Sequence, residues 1–372
     1  VLRPLSSLSV IMSEEVAESQ SQELLPLWGW VLAYLGMCGI TLTFLQWLAS
    51  SAALRGQKGK PLPDIIQRIL RIIFFVVVFS PAFYLASVLP TEYGAILVAF
   101  LLLYLFTYLD LSEIRGGRPS PWFQQLFIWR WLKRYLILNL ETEIEEKLKD
   151  DGTAYLFCVH PHGILPFGGI LNIVSPVNQF EEKVGTVRLR GLAASFCFYV
   201  PFYRDFVLAG GICDAGRYSA QKLLDNGYSI FVVPGGATEA LHSLPDEDIL
   251  YLKARKGFVK LALQKGAHLV PVFSFNENNQ YEQFNNKNET VMYIKKKFQA
   301  IFGISLPLLK NLIPKRCEIT TVVGKPFTIV KDHDPSEEKV ERILEEYSQY
   351  LRGLYERNAH YNKPQGKKLT II

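Results

Sequence analysis

Three stretches of this sequence carry no charged residue: Leu24 to Leu54, Ile72 to Thr91 and Tyr93 to Leu109. Runs of that length approach or exceed the ~20 residues that cross the hydrocarbon core of a bilayer. From about residue 141 onward the composition is that of an ordinary soluble α/β domain. The overall content, 49% hydrophobic and 13% aromatic, averages over that division. The chain is therefore expected to be membrane-anchored, with a globular C-terminal portion.

Residues 72–109 read as a membrane hairpin, with Ile72–Leu89 and Tyr93–Leu109 as arms and Pro90-Thr91-Glu92 as the turn. Pro81 can kink the first arm, so a re-entrant hairpin is the alternative. Arg55, Lys58, Lys60, Arg68 and Arg71 precede the hairpin, Arg115, Arg118, Arg130, Lys133 and Arg134 follow it, and the turn carries only an acid. The positive-inside bias then puts both flanks in the cytosol. Residues 24–54 form a further span or an interfacial helix, with Trp28, Trp30 and Trp47 as anchors. Residues 1–23, with Glu14, Glu15, Glu18 and Glu23, read as a flexible N-terminus without the basic leader of a secretory signal. In residues 118–140, Trp122, Phe123, Phe127, Trp129, Trp131 and Tyr135 alternate with Arg130, Lys133 and Arg134. That pattern suits an amphipathic segment in the headgroup region, or a core helix.

Residues 141–360 are expected to form the cytosolic domain and 361–372 a loose tail. Strand patterns fall at Tyr155–Val159, Ser229–Val233, Leu269–Phe275 and Glu318–Val323, and helix patterns at Ser219–Asp225, Leu250–Lys265 and Glu337–Glu356. The fold class read from them is α/β, a mixed sheet covered by helices, behind the N-terminal hairpin. A net charge of +5 with no basic run beside a nucleic-acid motif argues against nucleic acid as a partner. The five cysteines are scattered without paired spacing, as expected of reduced thiols facing the cytosol.

His160-Pro161-His162-Gly163 follows the first strand and holds two of the six histidines. A hydroxyl is a weak nucleophile at neutral pH until a base takes its proton, and imidazole is the side chain matched to that task. The alternatives are a structural pair bonded to backbone, or a metal site, for which no spaced Cys/His/Asp cluster supplies further ligands. The sequence leaves open which imidazole would act. In Pro234-Gly235-Gly236-Ala237-Thr238-Glu239 a strand enters a Gly-Gly turn whose N–H groups could meet an oxyanion, as could those near Gly163, and Glu239 could orient a histidine. Arg255, Lys256 and Lys260, with Arg204 and Arg217 beside other turns, would suit the phosphates of a polyanionic ligand such as coenzyme A; the alternative is a solvated helix face. Cys158, two residues before His160, is a thiol to consider, although an apolar strand makes it inert.

In this order the motifs resemble the type-2 diacylglycerol acyltransferase family, which includes monoacylglycerol acyltransferases and some wax synthases. The resemblance runs over roughly residues 70–360. It rests on H-P-H-G at 160–163 with Gly168-Gly169, P-F-Y-R-D at 201–205, D-A-G-R at 214–217, P-G-G-A-T-E at 234–239, R-K-G-F-V-K-L-A at 255–262, L-V-P-V at 269–272 and V-G-K-P at 323–326. It implies esterification of a glycerolipid hydroxyl by acyl-CoA at the endoplasmic reticulum, often with lipid-droplet association and with no cofactor beyond the acyl-CoA substrate. His160 and His162 then correspond to the catalytic histidine motif and Glu239 to the acid of the P-G-G motif. The partners are acyl-CoA, diacylglycerol and membrane lipids; homo-oligomerisation is left open.

The expected reaction is direct transfer, in which a histidine of the pair deprotonates the diacylglycerol hydroxyl as it attacks the thioester. A monoacylglycerol or fatty-alcohol acceptor is the alternative within enzymes, and a non-catalytic scaffold binding neutral lipid is the alternative from another class. Two motifs depart from the family. Its Tyr-Phe-Pro is represented only by Tyr135-Leu136-Ile137, and its Phe-Gly-Glu is here Phe275-Asn276-Glu277, neither of which is expected to touch the chemistry. Unlike glycerophosphate acyltransferases, the chain has no Asp five residues after either histidine; Leu165 and Phe167 stand there.

Overall fold

The structure, a computed structural model, describes residues 64–284 and 288–372. The expected flexible N-terminus 1–23, the segment 24–54 and the cations Arg55, Lys58 and Lys60 lie outside the described residues. The chain divides into two compact units, Val1–Asp110 and Leu111–Ile372.

In the first unit the described residues form helices Asp64–Val78, Ser80–Val88 and Thr91–Leu109. The first two meet at a 52° bend beside Phe79, with Pro81 in the opening turn of the second, where its missing N–H costs no helical hydrogen bond. The third lies in Thr91–Ile114, the one described segment long and apolar enough to cross a membrane; the bent pair would count as a second if it were one span. Because Thr91 already begins this helix, the turn shrinks to Leu89-Pro90. The arms approach closely at Gly94, where a Cβ would come within 2.3 Å of the Ala86 carbonyl oxygen. Phe75 packs edge-on against Tyr108, and the Arg71 guanidinium donates to the Tyr108 carbonyl at 3.3 Å, tying the open ends together.

The second unit is built on a seven-stranded sheet of order β1-β8-β7-β2-β5-β3-β4. Its strands are β1 (Leu138–Thr142), β2 (Tyr155–His160), β3 (Leu189–Ala193), β4 (Ile212–Asp214), β5 (Ser229–Val232), β7 (His268–Phe275) and β8 (Ile319–Val323). Every pairing is parallel except β7 with β8, so the sheet is mixed. All of β2 is buried, as the apolar run predicts for a parallel strand covered on both faces. Side chains alternate along it. Leu156 and Cys158 face one core with helices Arg217–Asp225, Gly257–Lys265 and Glu337–Arg357, and Tyr155, Phe157 and Val159 face the other with Ile173, Phe180 and Val184.

Two expectations are corrected and a third is refined. Residues 250–265 are not one helix: Asp248–Leu250 form β6, and the helix starts at Gly257 after a turn. The tail 361–372 is not loose, because Leu369–Ile371 form β9, parallel to β6 in a second, two-stranded sheet. Leu369 and Ile371 alternate into the core while Thr370 faces out, which explains why a short apolar end folds back. The 118–140 stretch breaks into helices Pro121–Gln124 and Phe127–Tyr135 and then enters β1. Trp129, Leu132 and Tyr135 pack on the core, whereas Trp122 and Phe127 are exposed. Ending the chain at Lys368 would remove two buried aliphatic side chains, an expected loss of about 3–6 kcal/mol. A thermal midpoint unchanged by this truncation would contradict the role of β9.

Candidate active site

The parallel strands β2, β5, β3, β4 and β7 all end on one edge of the sheet, and the motifs sit just beyond those ends. His162 follows β2, Pro234-Gly235-Gly236 follows β5, Gly216-Arg217 follows β4 and Asn276-Glu277 follows β7. The crevice beyond strand carboxyl ends is where open α/β sheets bind ligands. Arg217 and Arg255-Lys256 open helices that run back between strands, which brings these cations to the same edge.

The two histidines share a strand parity but are separated by the end of β2 at His160. His160 is still in β2, on the face of Leu156 and Cys158, and is 0% exposed. Its Nε2 is 3.1 Å from the Tyr347 hydroxyl on helix Glu337–Arg357, and its Nδ1 has no partner. Burial pulls its pKa down to about 3, so it is a neutral ring inside the core. Cys158 beside it is buried, with its thiol pushed far up by desolvation, and is inert as a nucleophile.

His162 lies in the loop, half-buried. Its Nδ1 is 3.0 Å from the Gly163 carbonyl oxygen, which can only accept. The proton of the neutral ring therefore belongs on Nδ1, and Nε2 keeps its lone pair. Burial lowers the pKa, against the opposing pull of the Gly163 carbonyl, which favours this neutral form at pH 7. Gly163 adopts φ +58, a conformation that favours glycine.

Glu239 does not orient an imidazole as anticipated. Its Oε2 accepts the backbone N–H of His162 and its Oε1 that of Tyr251, both at 3.0 Å, so it holds the loop through the main chain. Burial pushes its carboxyl up to about 7, opposed by those two N–H groups and by the Arg255 guanidinium. The Gly-Gly turn makes room for it: a Cβ on Gly235 would lie 1.8 Å from the Glu239 Cδ. Gly236 donates its N–H to the Val233 carbonyl at 3.1 Å, so that group is engaged within the turn rather than free for an oxyanion.

The five cations expected at coenzyme A phosphates have different fates. Arg204 is corrected outright: it is 0% exposed and donates to Glu113 Oε2 at 2.9 Å, so it serves the interior. Lys256 pairs with Glu341, and Lys260 with Glu337 at 3.1 Å, on the exposed side of helix Glu337–Arg357. Arg217 is exposed and donates to Gln264 at 3.2 Å. Arg255 donates to Thr238 Oγ1 at 2.5 Å, beside Glu239, and is the cation joined to the histidine loop through named contacts. Among the described residues no group of three or more His, Cys, Asp or Glu could hold a metal ion.

Sequence reasoning missed Tyr347 and misjudged Asn276-Glu277. Nothing in the pattern of helix 337–356 singles out Tyr347 among its tyrosines. Asn276 adopts φ +66, a conformation asparagine tolerates in place of glycine, and donates to the Glu318 and Tyr361 carbonyls. Glu277 is buried against Gly163 and Gly168, within the histidine loop's own surroundings. A lone acid straight after an apolar strand was the available signal.

A family model described as "Diacylglycerol acyltransferase" matches residues 88–371. The chain belongs to the diacylglycerol acyltransferase family. It is an acyltransferase, and its family and apolar helix make it a membrane-associated one. Diacylglycerol O-acyltransferase 2B of Umbelopsis ramanniana is 33% identical over 285 residues, covering 72% of this chain and 81% of that protein. The 2-acylglycerol O-acyltransferase 1 of Bos taurus is 31% identical over 300 residues, covering 74% and 89%. Acyl-CoA wax alcohol acyltransferase 1 of Homo sapiens is 32% identical over 271 residues, covering 69% and 82%.

Proposed function

We propose that the chain esterifies diacylglycerol with acyl-CoA to give triacylglycerol, with His162 as general base. The match to the diacylglycerol acyltransferase family over residues 88–371 supports the reaction, and the observation that carries the choice of base is the His162 Nδ1 to Gly163 carbonyl contact at 3.0 Å, which leaves Nε2 as a lone-pair acceptor in a half-buried loop. In this reading Nε2 takes the proton of the acceptor hydroxyl as the oxygen attacks the thioester carbonyl. The tetrahedral intermediate collapses with loss of the coenzyme A thiolate, which the imidazolium can reprotonate. In this reading the Gly163 N–H and the Gly235 N–H would be the backbone donors to the oxyanion. Arg255, with Arg217 and the exposed ends of Lys256 and Lys260, would meet the phosphates; surface ion pairs as weak as those of the two lysines exchange readily for a polyanion.

The hairpin 72–109 would anchor the catalytic unit at the endoplasmic reticulum or lipid-droplet surface, with both flanks cytosolic, where acyl-CoA is dissolved and the acceptor is at hand. Similar identity to relatives named for diacylglycerol, 2-acylglycerol and wax alcohol acceptors supports a second reading with another acceptor. Microsomes expressing the chain, given labelled acyl-CoA with each acceptor in turn, separate the two. Triacylglycerol is the expected major product; wax ester or diacylglycerol accumulating in its place would overturn the choice of acceptor.

A further inference from the structure

The loop that carries His162 is held at both ends by buried carboxyl groups. Glu239 takes the His162 N–H at 3.0 Å. At the far end the Gly168 N–H donates to Glu277, 3.0 Å from Oε2 and 3.3 Å from Oε1. Glu277 stands on the short turn Glu277–Gln280 after β7 and is 2% exposed. Both glycines of the loop are shaped around it. A Cβ on Gly163 would meet its Cγ at 3.1 Å, and one on Gly168 would meet its Oε2 at 2.4 Å.

The support behind Glu277 is itself fixed. Gln280 Nε2 donates to Glu277 Oε1 at 2.5 Å. Ser274 and Thr321 hydroxyls, which a Gly168 Cβ would also strike, are 3.0 Å apart, and Asn172 donates to Thr321 Oγ1 at 2.8 Å. The residues between the two glycines, Ile164 to Phe167, are therefore spanned by one side chain that touches both ends. Burial pushes its carboxyl up to about 8, against the Gly168 and Gln280 donors, so the group need carry no charge to do this.

We propose that Glu277 is a positioning residue, a buried carboxyl that holds Gly163 and Gly168 and thereby sets the His162 ring for proton abstraction. This rests on the reading of His162 as the base. Removing the carboxyl strands the Gly168 N–H and frees the loop, and misplacement of a base by about 1 Å can cost up to ~100-fold in rate. Glutamine keeps the shape and an acceptor for Gly168; alanine keeps neither.

The test compares E277A, E277D and E277Q in the full membrane-bound chain. It reads kcat, KM for acyl-CoA and the rate at which diethyl pyrocarbonate modifies His162, located by mass spectrometry. E277A should lower kcat at least ~10-fold. The KM for acyl-CoA should hold within about twofold and His162 should be modified faster, while E277Q returns all three to wild type. If E277A does not accumulate, E277D carries the same comparison, since its shorter side chain cannot reach Gly168. Wild-type kcat and modification rate in E277A or E277D would overturn the proposal, as would an E277Q as impaired as E277A. A fully active H162A beside faster His162 modification in E277A would remove the base assignment and keep the brace. An inactive H162A with unchanged modification would do the reverse.

Discussion

Replacing His162 with alanine is expected to lower kcat by about 10²–10⁴-fold, the usual contribution of a positioned general base. The KM for acyl-CoA should change little, because the ring is assigned to the acceptor proton and not to the phosphates. His160→Ala should also cost activity, but by another route. Its ring fills the core against Tyr347, so its loss should lower the thermal midpoint, whereas H162A leaves the midpoint near wild type. The pH profile adds a sign. The base must be neutral, and burial lowers the His162 pKa, so activity should persist below the ordinary imidazole value of about 6.5 and fall only as pH drops through the depressed pKa. An H162A enzyme that keeps wild-type kcat, or an acid limb centred above that value, would contradict the assignment.

Arg204→Ala is expected to destabilise the second unit by about 3–5 kcal/mol, the cost of leaving a buried charge without its partner. Here that partner is Glu113, 2% exposed and 2.9 Å away. Lysine should not rescue, because a point charge on a different stem cannot reproduce the guanidinium fork that also reaches toward Ser112 and Asp205. The measurement is the thermal midpoint and folded yield in detergent, with KM for acyl-CoA determined on the surviving fraction. An R204A protein of normal stability and raised KM for acyl-CoA would return Arg204 to ligand binding.

How legible each residue was followed from how local its determinants are. The runs of apolar and β-branched residues named β2, β5, β7 and β8 within a residue or two at each end, because strands buried on both faces favour such side chains along their whole length. The P-G-G turn was equally readable, and the structure adds why both glycines matter: Glu239 folds back over Gly235, and Gly236 adopts φ +56. Arg204 was unreadable as a buried group because its counter-ion lies 91 residues upstream. The short strands β3, β4, β6 and β9 carry too few residues for a period to declare itself, and β6 and β9 owe their form to each other.

The division into an apolar N-terminal part and an α/β part, the motif order and the pair of candidate bases can all be read along the chain, since periodicity, charge spacing and glycine placement are local properties. Which imidazole faces outward depends on packing between distant segments. Strand alternation buries His160 against Tyr347, 187 residues away, and two residues on, past the end of the strand, the loop releases His162. Tertiary packing likewise decided that Glu239 grips a main-chain N–H and that Glu277 closes the same loop from behind. Those pairings depend on the register of β2 beside β5 and β7, and strand register is a property of the sheet rather than of any one segment.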